Sequence, residues 1–408
     1  MVRFAGPGLL VAVGYMDPGN WATDIEAGSR YGYALLFVVA LSSCAAIVLQ
    51  TLAARLGVAS GRDLAQIARD HYSPPVTIGL WGLAEIAIIA CDIAEVLGSA
   101  LAIKLLFGWP LWIGVLITAF DTMLILILML QGQGYRRVEA IVLALVLTIA
   151  ACFVVQMAIV QPSLAAILPG LIPDPAKLGD THALYLAIGI LGATVMPHNL
   201  YLHSSIVQTR VTSPAPAHKR EVARFATYDI VVALLLASLV NAAILILAAA
   251  TFHASGNTQV ADIEDAHRLL TPLTGAAIAA PLFAVALLAS GQSATLTGTI
   301  AGQIILEGFL RVRLPAWQRR AITRGLALIP ALAGVLWLGE HSVGRLLVLT
   351  QVVLSAQLPF AIFPLIRFTS DRRVMGDLAS PWLLQAVAWV LFVAIAGANA
   401  WLVISVLG

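Results

Sequence analysis

Eleven long apolar segments follow one another along this chain, and each is long enough to cross a lipid bilayer as a helix. The hydrocarbon core requires ~20 consecutive apolar residues per helix. The segments run over residues 6–29, 32–54, 78–106, 110–130, 137–160, 183–209, 225–252, 274–309, 321–338, 343–367 and 381–407. Only 11% of the residues are charged, against ~25% in a soluble domain. The sequence therefore predicts an all-α integral membrane protein with eleven transmembrane helices.

The basic residues predict how these helices are oriented. With the N-terminus placed in the cytoplasm, eighteen of the 23 Lys and Arg residues fall nearer the cytoplasmic face. Positive charge is enriched in cytoplasmic loops. We therefore expect a multi-pass protein with a cytoplasmic N-terminus and a C-terminus outside.

Composition also argues against several other classes of protein. The formal net charge of +2 offers no concentrated basic face for phosphates, so we expect no nucleic-acid partner. Cys44, Cys91 and Cys152 lie far apart in apolar stretches, which favours neither a disulfide framework nor a zinc site. We expect no cofactor and no obligatory protein partner, and the lipid bilayer is the expected surrounding.

Two of the segments carry matched interruptions, MDPGN at 16–20 and VMPHN at 195–199. Aligning their prolines pairs Asp17 with Met196 and Asn20 with Asn199. The two segments are five spans apart and must enter the membrane in opposite directions. This predicts one transmembrane domain with an inverted 5+5 repeat (1–160 and 183–367), to which 381–407 adds an eleventh helix. Matched breaks of this kind indicate a transporter's midplane site, although a pair of ordinary proline kinks is the alternative.

The residues at the breaks favour a transition-metal ligand. Asp17 offers a carboxylate, Asn20 an amide oxygen, Met196 a thioether, and main-chain carbonyls lie near Ala193. Mg²⁺ and Ca²⁺ prefer oxygen alone, whereas thioether sulfur binds softer first-row metals. The mixed donor set therefore favours Mn²⁺ or Fe²⁺. The alternative is that Met196 only fills a gap in the core.

Three carboxylates, Glu85, Asp92 and Glu95, lie in the third apolar segment. Their spacings of seven and three place them on one face of a helix. Because a charge at the bilayer centre costs at least ~2.5 kcal/mol, such a stripe indicates a proton or ion pathway, although a purely structural salt-bridge cluster is the alternative. Their natural cationic partners begin the ninth segment: Arg319, Arg320 and Arg324.

Other polar residues within spans are less specific. His198 is placed to carry protons, since imidazole titrates near physiological pH, and His203 is expected to be packed or pore-lining. With Asp17, His198 and Glu95 all titratable, coupling to protons is favoured over coupling to Na⁺. Gln351 is either a gating ligand or a packing hydrogen bond. Gly298 and Gly302 are expected to permit close helix packing.

The motifs at 17–20 and 196–199, with the small-residue stretch leading to Glu307, resemble the Nramp (natural resistance-associated macrophage protein) divalent-metal transporters. The similarity is strongest to bacterial manganese transporters and covers nearly the whole chain. It implies a LeuT-like fold and a proton-coupled symporter importing Mn²⁺ or Fe²⁺ across a bacterial inner membrane by alternating access. It implies these metal ligands: Asp17, Asn20, Met196, the carbonyl of Ala193, and Gln351 as the site closes. It implies a proton pathway through Asp17, His198 and the three acids, with the arginines of the ninth segment beyond.

Two other functions remain as alternatives. A Na⁺-coupled amino-acid symporter of the same fold would need a neutral, glycine-rich break, and Asp17 would repel the carboxylate of its substrate. An intramembrane metalloenzyme would need a motif such as HExxH, which this sequence lacks.

Overall fold

The structure is a computed structural model that describes residues 6–118, 134–312, 314–338 and 343–407. For a few of these residues, Arg320 among them, only the backbone is described. Every regular element in this part of the chain is helical. The prediction of an all-α protein is therefore confirmed for the described residues.

The longer helices are numbered here in chain order. They are α1 (Pro7–Gly14), α2 (Pro18–Tyr31), α3 (Leu36–Ser60), α4 (Leu64–His71), α5 (Pro74–Phe107), α6 (Gly134–Val160), α7 (Thr181–Val195), α8 (Pro197–Ile206), α9 (Pro216–Ala248), α10 (Ile263–Thr274), α11 (Ala279–Leu310), α12 (Ala316–Leu338), α13 (Val343–Ser370) and α14 (Trp382–Leu407). The first predicted segment thus forms α1 and α2, and the sixth forms α7 and α8.

Eight helical stretches in the described residues are long and apolar enough to cross a membrane. The α7–α8 pair is one of them, at Thr181–Arg210, and Ala321–Trp337 in α12 is a shorter apolar helix. The divided α1–α2 pair is not among these eight. Residues 111–118 are helical, and the rest of the predicted segment 110–130 lies almost wholly outside the described residues. The chain is therefore a polytopic helical membrane protein, and the number eleven stays a prediction.

Some helix ends differ from the predicted boundaries. The seventh segment was expected to begin at residue 225, but α9 begins at Pro216. Its first residues are polar and charged, and a membrane-spanning helix can extend beyond the hydrocarbon core with such residues. Two amphipathic helices outside the spans, α4 and α10, were not predicted, because a search for long apolar segments does not detect short amphipathic helices. Helix α4 begins with a capping box in which Asp63 and Gln66 exchange hydrogen bonds, a favourable helix start.

The helices around the two breaks pack closely because small residues line their contacts. Helix α5 packs along α11, while α2 contacts α7, α9 and α13. A Cβ atom added to Gly291 of α11 would lie 2.2 Å from Ser99 Oγ of α5. Gly98 of α5 likewise leaves room for Pro18, whose Cβ would be 2.1 Å from an added methyl. These contacts hold the start of α2 against the centre of the bundle.

Candidate metal site between the two helix breaks

Asp17 lies at the first break and is the N-cap of α2. Its backbone is extended, and its Oδ1 atom accepts a hydrogen bond of 2.9 Å from the backbone N–H of Asn20. An N-cap aspartate followed by proline is a favoured helix start. The carboxylate is fully buried at the end of α2 where the helix dipole is positive. The sequence DPGN therefore fixes a carboxylate in the interior of the bundle.

Met196 forms the second break, between α7 and α8. Its φ of 27° is unusual for a residue with a side chain, and such strain is concentrated at functional sites. Pro197 begins α8 directly after it. The Met196 side chain is fully buried and packs with Ala87, Cys91 and Leu354, and its sulfur lies 3.7 Å from Asn199 Nδ2.

The two breaks meet at Asn20. Its Nδ2 atom donates to Asp17 Oδ1 at 2.6 Å and to the carbonyl oxygen of Ala193 at 3.0 Å. Two oxygen acceptors, one from each break, therefore converge on a single point. A cation at this point would be attracted by the same two oxygens. If the Asn20 amide group rotates by half a turn, its oxygen takes the place of its nitrogen and becomes a third oxygen facing the cation.

A third element brings Gln351 of α13 to the first break. Its Nε2 atom lies 3.4 Å from Asp17 Oδ2 and 3.1 Å from Thr350 Oγ1. Its Oε1 atom has no hydrogen-bond partner among the described residues. The approach depends on Gly19, because a Cβ atom there would lie 1.6 Å from Gln351 Nε2. Gln351 thus lies beside Asp17, and the choice between a gating ligand and a packing hydrogen bond stays a prediction.

Two residues that complete the first break were not assigned a role from the sequence. Asn241 of α9 donates through Nδ2 to the carbonyl oxygen of Tyr15 at 2.8 Å and to Asn20 Oδ1 at 3.1 Å. Ser290 of α11 donates through its hydroxyl to the carbonyl oxygen of Met16. Backbone carbonyls freed by a break inside a membrane need such donors. For Asn241, the sequence signal that could have indicated this role was a single Asn within an apolar span.

The acidic stripe of α5 meets the arginines of α12. Arg319 donates to both carboxylate oxygens of Glu85, at 2.9 and 3.1 Å. Arg324 lies 3.7 Å from Glu95 Oε2 and donates to the carbonyl oxygen of Thr118 at 3.1 Å. Asp92 is buried on the same helix, and the side chain of Arg320 lies outside the described part of the chain. The structure thus brings the stripe and two of its three expected partners together.

Gly298 and Gly302 of α11 face these charged side chains. A Cβ atom at Gly298 would lie 2.7 Å from Glu95 Oε1, and one at Gly302 would lie 1.9 Å from Arg319 Nη1. The expected role of this glycine pair was close packing between helices. The structure shows that the space above both glycines is filled by a carboxylate and a guanidinium group rather than by a neighbouring backbone.

His198 of α8 follows Met196 by two residues and approaches the acidic stripe through Cys91. Its Nε2 atom is 3.9 Å from Cys91 Sγ, which is 3.5 Å from Glu95 Oε1. Cys91 was not expected to connect these groups, since a lone cysteine in an apolar run gives no such signal. His203 is turned elsewhere, with Nδ1 2.9 Å from Gln50 Oε1, in keeping with a packed histidine.

Two broken helices with buried polar groups at the breaks define a helical membrane transport protein. The sequence matches the family described as natural resistance-associated macrophage protein-like (Nramp) over residues 8–405. It is 60% identical over 407 residues to the divalent metal cation transporter MntH of Ralstonia nicotianae, covering 100% of this chain and 92% of that protein. The chain belongs to the Nramp family, whose members are transporters and not enzymes.

Further relatives agree with this assignment. MntH 1 of Pseudomonas aeruginosa is 61% identical over 399 residues, 98% of this chain and 90% of the relative. The crystal structure of a manganese transporter from Eremococcus coleocola matches with a TM-score of 0.89 and 38% identity, over 97% of this chain and 85% of that one. Mhp1, a nucleobase-cation-symport-1 family transporter, matches with a TM-score of 0.61 at 14% identity, which shows a shared fold alone.

Proposed function

We propose that this protein is a proton-coupled symporter that imports divalent transition metals, Mn²⁺ and Fe²⁺, by alternating access. The observation that carries the proposal is the convergence of Asp17 and the Ala193 carbonyl oxygen on one point, with Asn20 between them. The relatives are named divalent metal cation transporters, and the solved relative is named a manganese transporter. A Na⁺-coupled amino-acid symporter is not favoured, since Asp17 would repel a substrate carboxylate.

The metal ligands in this proposal are Asp17, Asn20, the carbonyl of Ala193 and Met196, with Gln351 added when the site closes. Asp17 supplies the negative charge, and the neutral oxygen atoms of Asn20, Ala193 and Gln351 are the other hard ligands. The Met196 sulfur provides the preference for Mn²⁺ and Fe²⁺ over Ca²⁺ and Mg²⁺, because those ions are best served by oxygen alone.

Protons take a separate route through the interior. It begins at Asp17 and His198 and continues along α5 to Asp92, Glu95 and Glu85, with the arginines Arg319 and Arg320 beyond. The support is a near-continuous series of buried groups, in which Cys91 lies between His198 and Glu95. Chains of ionisable groups within a bundle are typical of proton relays. A separate route allows metal and proton to share Asp17 without sharing the whole path.

The inverted 5+5 repeat and the topology belong to the same proposal. We place the protein in the bacterial inner membrane, with the N-terminus in the cytoplasm and the C-terminus outside. In that orientation α2 and α7 are the outer halves of the two broken helices, and α1 and α8 are the inner halves.

Replacement of Asp17 tests the metal site. Asp17→Asn keeps the size of the side chain but removes the formal charge among the proposed ligands. Mn²⁺ uptake into liposomes containing the purified variant is expected to fall to the level of empty liposomes. Asp371→Asn, which alters a half-buried helix cap after α13, is the matched control and should transport normally. Uptake by Asp17→Asn near the wild-type rate would exclude the assignment.

The proton pathway is tested by comparing two fluxes in the same vesicles. Glu95→Gln and His198→Ala should reduce metal-driven internal acidification more than Mn²⁺ uptake, because both residues lie beyond the metal ligands. Binding of Mn²⁺ in detergent should change little. If both variants keep the wild-type ratio of acidification to uptake, protons follow another route.

A further inference from the structure

A cavity of about 530 Å³ lies at the predicted outer end of the bundle, and its walls come from both broken helices. It is lined by residues of α2, α7 and α13 and of the segment after α9, among them Glu26, His182, Thr258 and Val348. Val348 lies one helical turn before Gln351, which contacts Asp17. The cavity is therefore about one turn of α13 away from the metal site.

Within this cavity a carboxylate and an imidazole face each other across the two outer half-helices. Glu26 Oε1 of α2 lies 2.9 Å from His182 Nε2 of α7. The side chains are 13% and 35% exposed, so ions from the solvent can reach them. A neighbouring hydrogen bond of 2.5 Å between the Tyr31 hydroxyl and Asp180 Oδ2 holds the same two helix ends together. The pair therefore has a fixed position at the entrance above the metal site.

We propose that Glu26 and His182 form an outer recruiting site, at which a divalent transition metal binds before it passes to Asp17. The inference rests on the proposed transport function. An imidazole and a carboxylate are ligands that suit first-row divalent metals. Ser29, Thr258 and Gln259 line the same cavity, and their side chains carry further oxygen atoms. Mn²⁺ would lie between the two side chains and replace their direct contact.

Two arginines set the strength of this site. Arg30 and Arg345 line the same cavity, and both are exposed. Their charges repel a dication and keep its affinity low. A low affinity suits an entry site, because a tightly held ion would not move on to the Asp17 site. Removing one of these arginines should therefore strengthen Mn²⁺ binding, whereas removing Glu26 or His182 should weaken it.

Transport kinetics in liposomes provide the first test. Glu26→Gln and His182→Asn should each raise KM for Mn²⁺ roughly tenfold, the effect of losing ~1.4 kcal/mol of binding, and leave kcat within about twofold. Arg345→Gln should lower KM. Glu264→Gln is the matched control, since Glu264 belongs to another ion pair at the same end, with Lys104 at 2.7 Å. An unchanged KM, or a fall in kcat alone, would reduce the pair to a structural contact and overturn the proposal.

Direct binding separates this site from the central one. Asp17→Asn disables the central site, so weak Mn²⁺ binding that remains, measured by loss of the free Mn²⁺ electron paramagnetic resonance signal, belongs elsewhere. That remaining binding should disappear in the double variant Asp17→Asn/Glu26→Gln. Equal binding by the single and double variants would overturn the outer site. Failure of the wild-type protein to take up Mn²⁺ would instead overturn the proposed function.

Discussion

Gly302 is the position at which a single methyl group should disturb the charged pair between α5 and α12. A Cβ atom there would lie 1.9 Å from Arg319 Nη1 and 2.6 Å from Arg319 Cζ. Non-bonded carbon and nitrogen atoms require at least ~3 Å, so the guanidinium group must move by about 1 Å or more. Its hydrogen bonds to Glu85, at 2.9 and 3.1 Å, cannot both survive that displacement.

The size of the effect follows from the burial of the pair. The Arg319 and Glu85 side chains are 5% and 17% exposed. Moving the guanidinium group keeps both charges but removes one of its two hydrogen bonds to Glu85, and a hydrogen bond to a charged group contributes about 1.5–3 kcal/mol. Alanine is a better helix former than glycine by ~1 kcal/mol, which offsets part of this loss. Gly302→Ala should therefore destabilise the protein by about 0.5–2 kcal/mol. It should also slow metal-driven acidification, since Arg319 and Glu85 belong to the proposed proton pathway.

The assay is thermal unfolding in detergent together with the flux ratio in liposomes. Gly82→Ala is the control, because Gly82 lies in α5 and a methyl group there meets no atom of the described residues within 4 Å. Arg319→Gln combined with Gly302→Ala should cost little more than Arg319→Gln alone, as expected for two changes that remove one contact. If Gly302→Ala unfolds at the same temperature as Gly82→Ala and keeps the wild-type flux ratio, the reasoning is refuted.

Two further predictions concern the proposed metal site and a helix cap. Met196→Ala should lower Cd²⁺ uptake more than Mn²⁺ uptake and allow Ca²⁺ to compete, because the remaining ligands are oxygens; equal losses for all three ions, with Ca²⁺ still excluded, would argue against the sulfur. Burial raises the pKa of Asp63, outside the spans, from 3.8 to about 6. The charged form therefore destabilises the fold by up to ~3 kcal/mol above pH 6, and this penalty disappears as the pH falls below 4. Asp63→Asn, which keeps the cap, should raise the unfolding temperature at pH 7.5 and lose that advantage near pH 4, and equal curves at both pH values would contradict this.

The sequence predicted the parts of the site that depend on local signals. Proline beside polar residues is unusual within an apolar run, so the breaks at Asp17 and Met196 could be located to the residue. The spacing of the acids in α5 was sufficient to place them on one face. Their approach to Arg319 and Arg324 followed from the need of buried charges for partners, although no distance could be given.

Contacts between distant helices could not be predicted, because one sequence carries no information about which helix faces which. The contacts of Asn241 with Tyr15 and of Cys91 with His198 are of this kind. Gly298 and Gly302 gave a pattern that predicts close helix packing, yet the structure fills their space with Glu95 and Arg319. The space beside a glycine can hold either the backbone of a neighbouring helix or a charged side chain, and the sequence pattern does not show which of the two is present.

In the proposed metal site, the hydrogen bonds around Asn20 connect ion binding to α9. The Asn20 amide now donates to Asp17 and Ala193, while its oxygen accepts from Asn241. A cation that replaces the Asn20 NH2 group between Asp17 and Ala193 requires the Asn20 amide to rotate. Asn20 Nδ2 then faces Asn241 Nδ2, and the two hydrogen-bond donors oppose each other. Asn241 Oδ1 has no hydrogen-bond partner among the described residues, and turning Asn241 would offer this oxygen to Asn20. The same turn removes the donor from the carbonyl oxygen of Tyr15. Tyr15 directly follows α1 as its C-cap. Under the proposed function we therefore expect occupation of the site to loosen the attachment of α1 to α9, a change that would favour release to the inside.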